Sequence, residues 1–254
     1  MAHPKERADQ LAFAQGLAES REQARRLIMA GQVVLADTDP PQRVDKPGHA
    51  FPLDTVFALL QKERFVSRGA YKLLTLMEHF KLDVTDMVCL DAGASTGGFT
   101  DCLLQHGAKR VYAIDVGHNQ LHENLRADPR VISHEGTNLR HASPDLIPET
   151  IDLLVADVSF ISLTLVLPPC MQWLDKDGRV AVLIKPQFEL GPGETVRGVV
   201  KSEEARQRAV DKIVTFCSAN LGLECRGVVP SAIKGPKGNQ EYMALFAPLG
   251  KEQA

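Results

Sequence analysis

The stretch "LDAGASTGGFTD" (90–101) follows an apolar run and opens a helical one, with Asp91 ahead of Gly93, Ser95, Gly97 and Gly98. A second acid, Asp115, ends the next apolar run in "AIDVG", 24 residues later. Glycine-rich turns cradle ligands because missing side chains let the backbone approach and amide N–H groups point at the bound molecule. A dinucleotide site needs G-x-G-x-x-G, and here Ser95 stands at the second glycine position. A phosphate loop needs Lys-Ser/Thr after its last glycine, and Phe99-Thr100 follows instead. The ligand these residues favour therefore carries no phosphate.

S-adenosylmethionine fits that description: it has an ammonium and a sulfonium at one end and two ribose hydroxyls in the middle. Asp91 attracts the ammonium, directly or through water, and Asp115 accepts the ribose hydroxyls. Gly93 and Gly97 leave room for the methionine part, with Ser95 and Gly98 completing the turn. Thr137 and Asn138 in "EGTNLR" lie where the adenine edge would be read. One Asp at a strand end is equally a helix N-cap; the loop together with both acids is what points to a cofactor.

Four further residues stand at element ends on the same expected ligand edge: Lys72 in "SRGAYKL", Asp157 in "LVADVSF", Lys185 in "VLIKPQFE" and Glu241 in "GNQEYM". A lysine ending an apolar strand is costly to bury unless it is paired. Taken alone, Lys185 is accounted for by a structural ion pair. Two Gly/Pro-rich segments flank this edge, "ELGPGETVRGVV" and "SAIKGPKGNQ", carrying Glu189, Arg197, Lys234 and Lys237. They read either as surface loops or as a lid and phosphate clamp.

The elements that must position these groups show a clear period. From residue 87 the runs "MVCL", "RVYAIDV", "VISHEG", "IDLLVADVSF", "RVAVLIKP", "LECRGVVPS" and "YMALFAP" have strand length, and helical segments separate most of them. That alternation predicts an α/β fold with a doubly wound sheet. Seven strands ending in a hairpin-like pair suit a class I methyltransferase (Rossmann-like) sheet, whose last strand runs antiparallel.

Residues 1–62 form a separate part. A short helix breaks at Gly16, and a second begins at a capping box, Ser20 with Gln23 three positions on. Gly31 stops that helix and "QVVL" follows as a strand. Arg21, Arg25 and Arg26 make a basic stripe beside Ala24, Leu27 and Ile28, an arrangement that suits phosphate contacts as well as a solvated face. This order of elements resembles the small α+β alpha-L RNA-binding module of a small-subunit ribosomal protein, of pseudouridine synthases and of a bacterial heat-shock ribosome-binding protein. It departs from that module at Arg7-Ala8-Asp9, where Arg-Leu-Asp is usual, and at Ala36-Asp37, where Asn-Gly is usual.

Bulk properties bound these readings. A 254-residue chain, 44% hydrophobic and 24% charged, holds one sizeable core and a small appended module. A formal charge of −3 gives no global pull towards nucleic acid, so RNA binding has to rest on local patches. The five cysteines are scattered without a C-x-x-C pair, which argues against a metal site or disulfide framework. The N-terminus lacks the apolar core of a signal peptide and no run approaches membrane-spanning length, so a cytoplasmic protein without membrane contact is expected.

The motifs "VSRGAYKL", "DAGASTGGFTD", "AIDVG", "GTNLR", "ADVSFISL", "LIKPQFE" and "SAIKGPKGNQEY" resemble the TlyA family of ribosomal RNA 2′-O-methyltransferases. That family joins an alpha-L module to an FtsJ-type domain, which implies an RNA-binding domain at 1–62 and an S-adenosylmethionine-dependent methyltransferase domain at 63–254. The resemblance implies a catalytic tetrad of Lys72, Asp157, Lys185 and Glu241 acting on a ribose 2′-hydroxyl, that of a cytidine, in ribosomal RNA or a ribosomal subunit. Lys185 is expected to accept the hydroxyl proton or hold the oxygen. Arg21, Arg25, Arg26, Arg68, Lys234 and Lys237 are the expected RNA contacts. Rival readings are an RNA-binding protein without catalysis, a nicotinamide-dependent oxidoreductase, and the pore-forming haemolysin after which the family is also labelled.

Overall fold

The computed structural model of the chain describes residues 4–60, 64–191 and 193–250. Contacts divide it between Arg64 and Phe65 into two compact units. The boundary expected at 62/63 lies outside the described residues.

The first unit runs β1 (Lys5–Arg7), α1 (Ala8–Ala14), α2 (Arg21–Met29), β2 (Val33–Leu35), β3 (Ala50–Pro52) and β4 (Phe57–Leu59). β1 pairs antiparallel with β3 and β2 with β4. Gly16 takes the left-handed conformation (φ +75°) that lets the chain turn between the helices. Ser20 caps α2 by accepting from Gln23 N at 3.2 Å, while the Gln23 side chain reaches back one residue further than a standard capping box, to Glu19 N at 2.7 Å. α2 buries Ala24 and Ile28 against Ala8, Leu11, Val33 and Phe57, and leaves Arg21, Arg25 and Arg26 exposed. The periodicity that predicted an apolar face here is the one the core uses; Leu27 lies at its margin, half-buried.

The second unit runs α3 (Ala70–Phe80), β5 (Val88–Ala92), α4 (Gly98–Gln105), β6 (Arg110–Ile114), α5 (Glu123–Arg126), β7 (Val131–His134), β8 (Ile151–Ala156), α6 (Leu163–Cys170), β9 (Leu174–Ile184), α7 (Pro186–Glu189), α8 (Glu203–Leu221), β10 (Leu223–Pro230) and β11 (Tyr242–Pro248). The seven strands form one sheet in the order β10-β11-β9-β8-β5-β6-β7, with β11 antiparallel to both neighbours and β5 to β9 mutually parallel. β9 begins at Leu174, ahead of the expected start at Arg179. The difference is a register shift: Ile151 pairs with Leu174 but Leu153 pairs with Arg179, so the intervening "DKDG" bulges out of the ladder.

Helices cover both faces. α3 and α4 pack on one through Leu73, Leu76, Phe99 and Leu103, and α6 and α8 on the other through Val166, Leu167, Val210 and Ile213. Strand side chains alternate between these layers: Cys89, Leu153, Val155, Ala181, Leu183 and Met243 join the α3/α4 layer, and Leu90, Leu154, Val180, Val182 and Ala244 the α6/α8 layer. The same odd-numbered parity, continued to the strand ends, places Asp91, Asp157, Lys185 and Glu241 on the α3 side. α3 carries Lys72 in its first turn.

Candidate active site

Two clefts, of about 400 and 370 Å3, open along the carboxyl edge of the parallel strands and share Gly93, Ser95, Asp157 and Ser159. Lys72, Asp91, Lys185, Arg68 and Lys234 line the first. Ile114, Asp115, Val116, Thr137, Asn138 and Phe160 line the second. Loops between strand and helix open at this edge, where the sheet order reverses between β5 and β8, the expected ligand position in such folds.

The four residues expected to do chemistry come together in the first cleft. Lys72 Nζ donates to Glu241 Oε2 at 2.7 Å and lies 4.0 Å from Asp157 Oδ2. Lys185 Nζ lies 2.6 Å from Asp157 Oδ1 and donates to Ser159 Oγ at 2.7 Å. The Asp157 contact is an ion pair without the alignment of a directed hydrogen bond. Asp157 is thus bracketed by both lysines, one on each oxygen. Gln187 Nε2 donates to Glu241 Oε1 at 3.3 Å. Lys72, Lys185 and Glu241 are all buried, and two cations alternate with two carboxylates, which is what makes that burial tolerable. Side-chain parity accounts for three of the four; Lys72 arrives from α3, which precedes the sheet in sequence.

Beside the tetrad, Asp91 is fully buried. Its Oδ2 accepts from Thr100 N at 2.9 Å and Thr100 Oγ1 at 2.7 Å, while Oδ1 has no hydrogen-bond partner. Burial pushes this carboxyl up to about 7; the Thr100 bonds oppose that shift, and the nearby Asp157 and Asp115 charges add to it. A buried acceptor with nothing to accept is a site made for a donor, and a cationic one answers both the missing bond and the unfavourable charge. Asp115 Oδ1 accepts from Gly117 N at 2.7 Å and Oδ2 from Ser95 N at 2.8 Å. Each oxygen keeps a lone pair for a ribose hydroxyl. The apolar walls of Ile114, Val116 and Phe160 in the second cleft suit a purine ring. The residues present therefore fit S-adenosylmethionine.

The glycines of the turn meet different neighbours. A Cβ at Gly93 would stand 2.9 Å from the Asp157 carbonyl oxygen, so this position stays bare where two strand ends approach, and Gly93 also lines both clefts. Gly97 does not line either cleft. It is buried at φ +93°, and a Cβ there would meet Leu125 Cδ1 at 2.2 Å and Leu121 Cδ1 at 2.8 Å. Its bare Cα lets α4 start under two leucines. A Cβ on Gly98 would meet Ala70 N at 3.0 Å, so this glycine sets how closely α4 approaches α3. Ser95, at the missing second glycine, takes the left-handed conformation (φ +49°) that a glycine would adopt without cost, with its side chain exposed.

Thr137 and Asn138 are placed in the second cleft as expected, although the Asn138 carboxamide oxygen already accepts from Arg140 N at 3.1 Å and caps a single 3₁₀ turn. Arg68 and Lys234 are exposed at the first cleft; Lys237, also exposed, leans on the Arg197 carbonyl oxygen at 3.5 Å. In the first unit Arg25 and Arg26 are exposed, whereas Arg21 is partly committed to an internal pair. Its Nε reaches Asp9 Oδ2 at 3.3 Å, beside the two-pronged Arg7–Asp9 contact at 2.9 Å on each oxygen. The Arg7 bonds hold the buried Asp9 carboxyl below its ordinary range.

Sequence reasoning missed Thr100, Ser159 and Gln187, and it put Glu189 in a flanking loop where the structure buries it at the end of α7. Ser159 was within reach of the sequence, two residues beyond Asp157. Thr100 and Glu189 carried no local signal, because their partners are set by tertiary contacts.

Among the described residues no helix is long and apolar enough to cross a membrane. An FtsJ-like methyltransferase family model matches residues 65–247, and an S4 domain model matches residues 6–36. The chain is 43% identical over 244 residues to the 16S/23S rRNA (cytidine-2′-O)-methyltransferase TlyA of Mycobacterium tuberculosis, covering 93% of this chain and 87% of that protein. It is 38% identical over 246 residues to Hemolysin A of Brachyspira hyodysenteriae, covering 94% and 99% respectively. A solved structure from Streptococcus thermophilus, described as a hemolysin, superposes with a TM-score of 0.73 at 43% identity, covering 99% of this chain and 91% of that one.

Proposed function

The chain belongs to the TlyA family of ribosomal RNA methyltransferases, in which an FtsJ-like methyltransferase domain follows an S4 domain, and from that premise we propose that it methylates the ribose 2′-hydroxyl of a cytidine in ribosomal RNA. The observation that carries this reading is the meeting of Lys72, Asp157, Lys185 and Glu241 beside the unpartnered oxygen of Asp91. Neither a nicotinamide nor a pore explains that constellation.

Asp91, Gly93, Ser95 and Asp115 would hold S-adenosylmethionine, with Thr137 and Asn138 at its adenine end. Once bound, the cofactor supplies a methyl group made electrophilic by a sulfonium. The chain's own residues then have to overcome a poor nucleophile, because a ribose 2′-hydroxyl is a weak acid. Lys185 holds the 2′-oxygen or takes up its proton on Nζ as the new bond forms, and Asp157 balances the positive charge there. Lys72 stabilises negative charge developing on the 2′-oxygen, and Glu241 keeps Lys72 in place. Arg68, Lys234 and Lys237 receive phosphates around the target nucleotide. The N-terminal module, residues 1–62, docks ribosomal RNA or a ribosomal subunit through Arg25 and Arg26, with Arg21 contributing from its pair with Asp9. Residues 63–254 carry out the reaction in the cytoplasm.

Transfer of labelled methyl groups from S-adenosylmethionine to ribosomal subunits, followed by mapping of 2′-O-methyl positions, tests the reading. Incorporation at a cytidine is expected, and Lys185→Ala is expected to lower the rate at least 100-fold. A wild-type chain that binds subunits but labels no RNA would instead be a binding protein.

A further inference from the structure

Lys185 presents a positioning problem that the tetrad alone does not solve. Its ammonium sits at the end of a flexible four-carbon stem, and the 2.6 Å contact with Asp157 Oδ1 attracts by charge without the alignment of a hydrogen bond. The Phe188 ring, 6.0 Å from Nζ, stands at the outer reach of a cation–π contact, which attracts without directing an N–H. The directed bond that the structure gives Lys185 is to Ser159 Oγ, at 2.7 Å.

We infer that Ser159 is a positioning residue that aims Lys185 Nζ at the reacting hydroxyl. Two contacts in different directions, one Coulombic and one directed, fix the nitrogen where Asp157 alone would let it pivot. Ser159 is two residues beyond Asp157, just past the end of β8, and like Asp157 it lines both clefts, where cofactor and substrate would meet.

The segment that carries Ser159 is itself held. Ser162 Oγ donates to Glu189 Oε2 at 2.5 Å, and Leu163 N donates to Glu189 Oε1 at 2.9 Å. Glu189 is 4% exposed and stands four residues after Lys185, and Lys212 Nζ from α8 donates to its backbone carbonyl at 2.5 Å. Glu189 thus straps the segment after β8 to the segment after β9. Ser159 and Lys185 stand on the two segments so joined, three and four residues from the contacts.

This inference rests on the methyl-transfer reading, and the experiment separates the two. Ser159 is exposed to the clefts, so Ser159→Ala removes the hydroxyl without opening a core cavity. With wild-type activity on ribosomal subunits as the control, Ser159→Ala is expected to lower kcat about tenfold, leaving the RNA KM and the S-adenosylmethionine Kd within twofold. Ser159→Thr, which keeps the hydroxyl, is expected to recover most of the rate. In 15N spectra of lysine side chains, the Lys185 ammonium signal should be slowed in hydrogen exchange in the wild type and the Thr variant and lost in the Ala variant. An unchanged kcat in Ser159→Ala overturns the inference, and so does a rate loss matched by lost cofactor affinity, which would make Ser159 a cofactor contact. A wild-type chain inactive on every RNA, yet with the Lys185 signal protected by Ser159, would sink the methyl-transfer reading while leaving the geometric one.

Discussion

Asp91 sits in an environment that resists its own charge: full burial and two neighbouring carboxylates raise it to about 7, against the two hydrogen bonds from Thr100. In the free protein near neutrality, the group is close to half-protonated. A bound ammonium favours the carboxylate, so binding at pH 6 must expel a proton, while at pH 7.5 most of that proton has already gone. S-adenosylmethionine affinity is therefore expected to weaken as pH falls below 7, approaching tenfold per unit. Titration calorimetry in buffers of different ionisation enthalpy should find close to one proton released at pH 6; a pH-independent Kd from 5.5 to 7.5 would rule this out. Stability carries the opposite sign. The folded state holds this proton up to about 7 and the unfolded chain releases it near the ordinary carboxylate value, so the contribution to stability is present at low pH and is lost as pH rises through that window. Asp91→Asn should thus stabilise the free protein at pH 8 by up to a few kcal/mol while abolishing tight cofactor binding. Denaturant midpoints and calorimetry on the same variant check both halves.

At the scale of elements, the alternation of strand side chains did most of the positioning and was readable from the chain. Asp91, Asp157 and Lys185 end strands whose odd-numbered residues face α3, and Glu241 begins a strand of the same parity. The antiparallel last strand followed from the hairpin-like pair at the C-terminus, and the cap at Ser20 from its spacing to Gln23. What could not be read had its cause elsewhere in the chain. The early start of β9 depends on a bulge that only the neighbouring β8 defines, and the Glu189 strap joins segments 26 and 27 residues apart through buried polar bonds. Gly97 is the instructive case: its type signalled a cradle, while its geometry serves packing. An alanine there has to adopt φ +93° and displace two buried leucines, so Gly97→Ala is expected to cost about 2–4 kcal/mol. The urea midpoint should fall with an unchanged slope, and cofactor should restore part of the loss if the loop still forms. A midpoint within 0.5 kcal/mol of wild type would leave Gly97 with the ligand-cradle role alone.

For the molecule as a whole, the net charge of −3 leaves an RNA partner to be held by local cations. Those cations divide by the work they already do. Arg21 shares the buried Asp9 carboxylate with Arg7, so Arg21→Ala should first destabilise the N-terminal unit, because Asp9 would keep a single partner. Arg25 and Arg26 lie exposed on the face of α2 away from its buried Ala24 and Ile28, and their replacement leaves the core untouched. The doubly substituted Arg25→Glu, Arg26→Glu chain is therefore expected to fold with the wild-type midpoint and to bind S-adenosylmethionine unchanged, since both cofactor clefts are lined by residues of the second unit. Its KM for ribosomal RNA or subunits should rise about tenfold or more with kcat little changed, because the residues removed hold substrate away from the reacting atoms. If each arginine meets one phosphate, the slope of log Kd against log salt should fall by about 2 on losing both. Methyl-transfer kinetics and filter binding across a salt series decide the matter. An unchanged salt slope with an unchanged KM would mean that the basic face of α2 is merely solvated and that the cations around the catalytic cleft, Arg68, Lys234 and Lys237, hold the RNA without it.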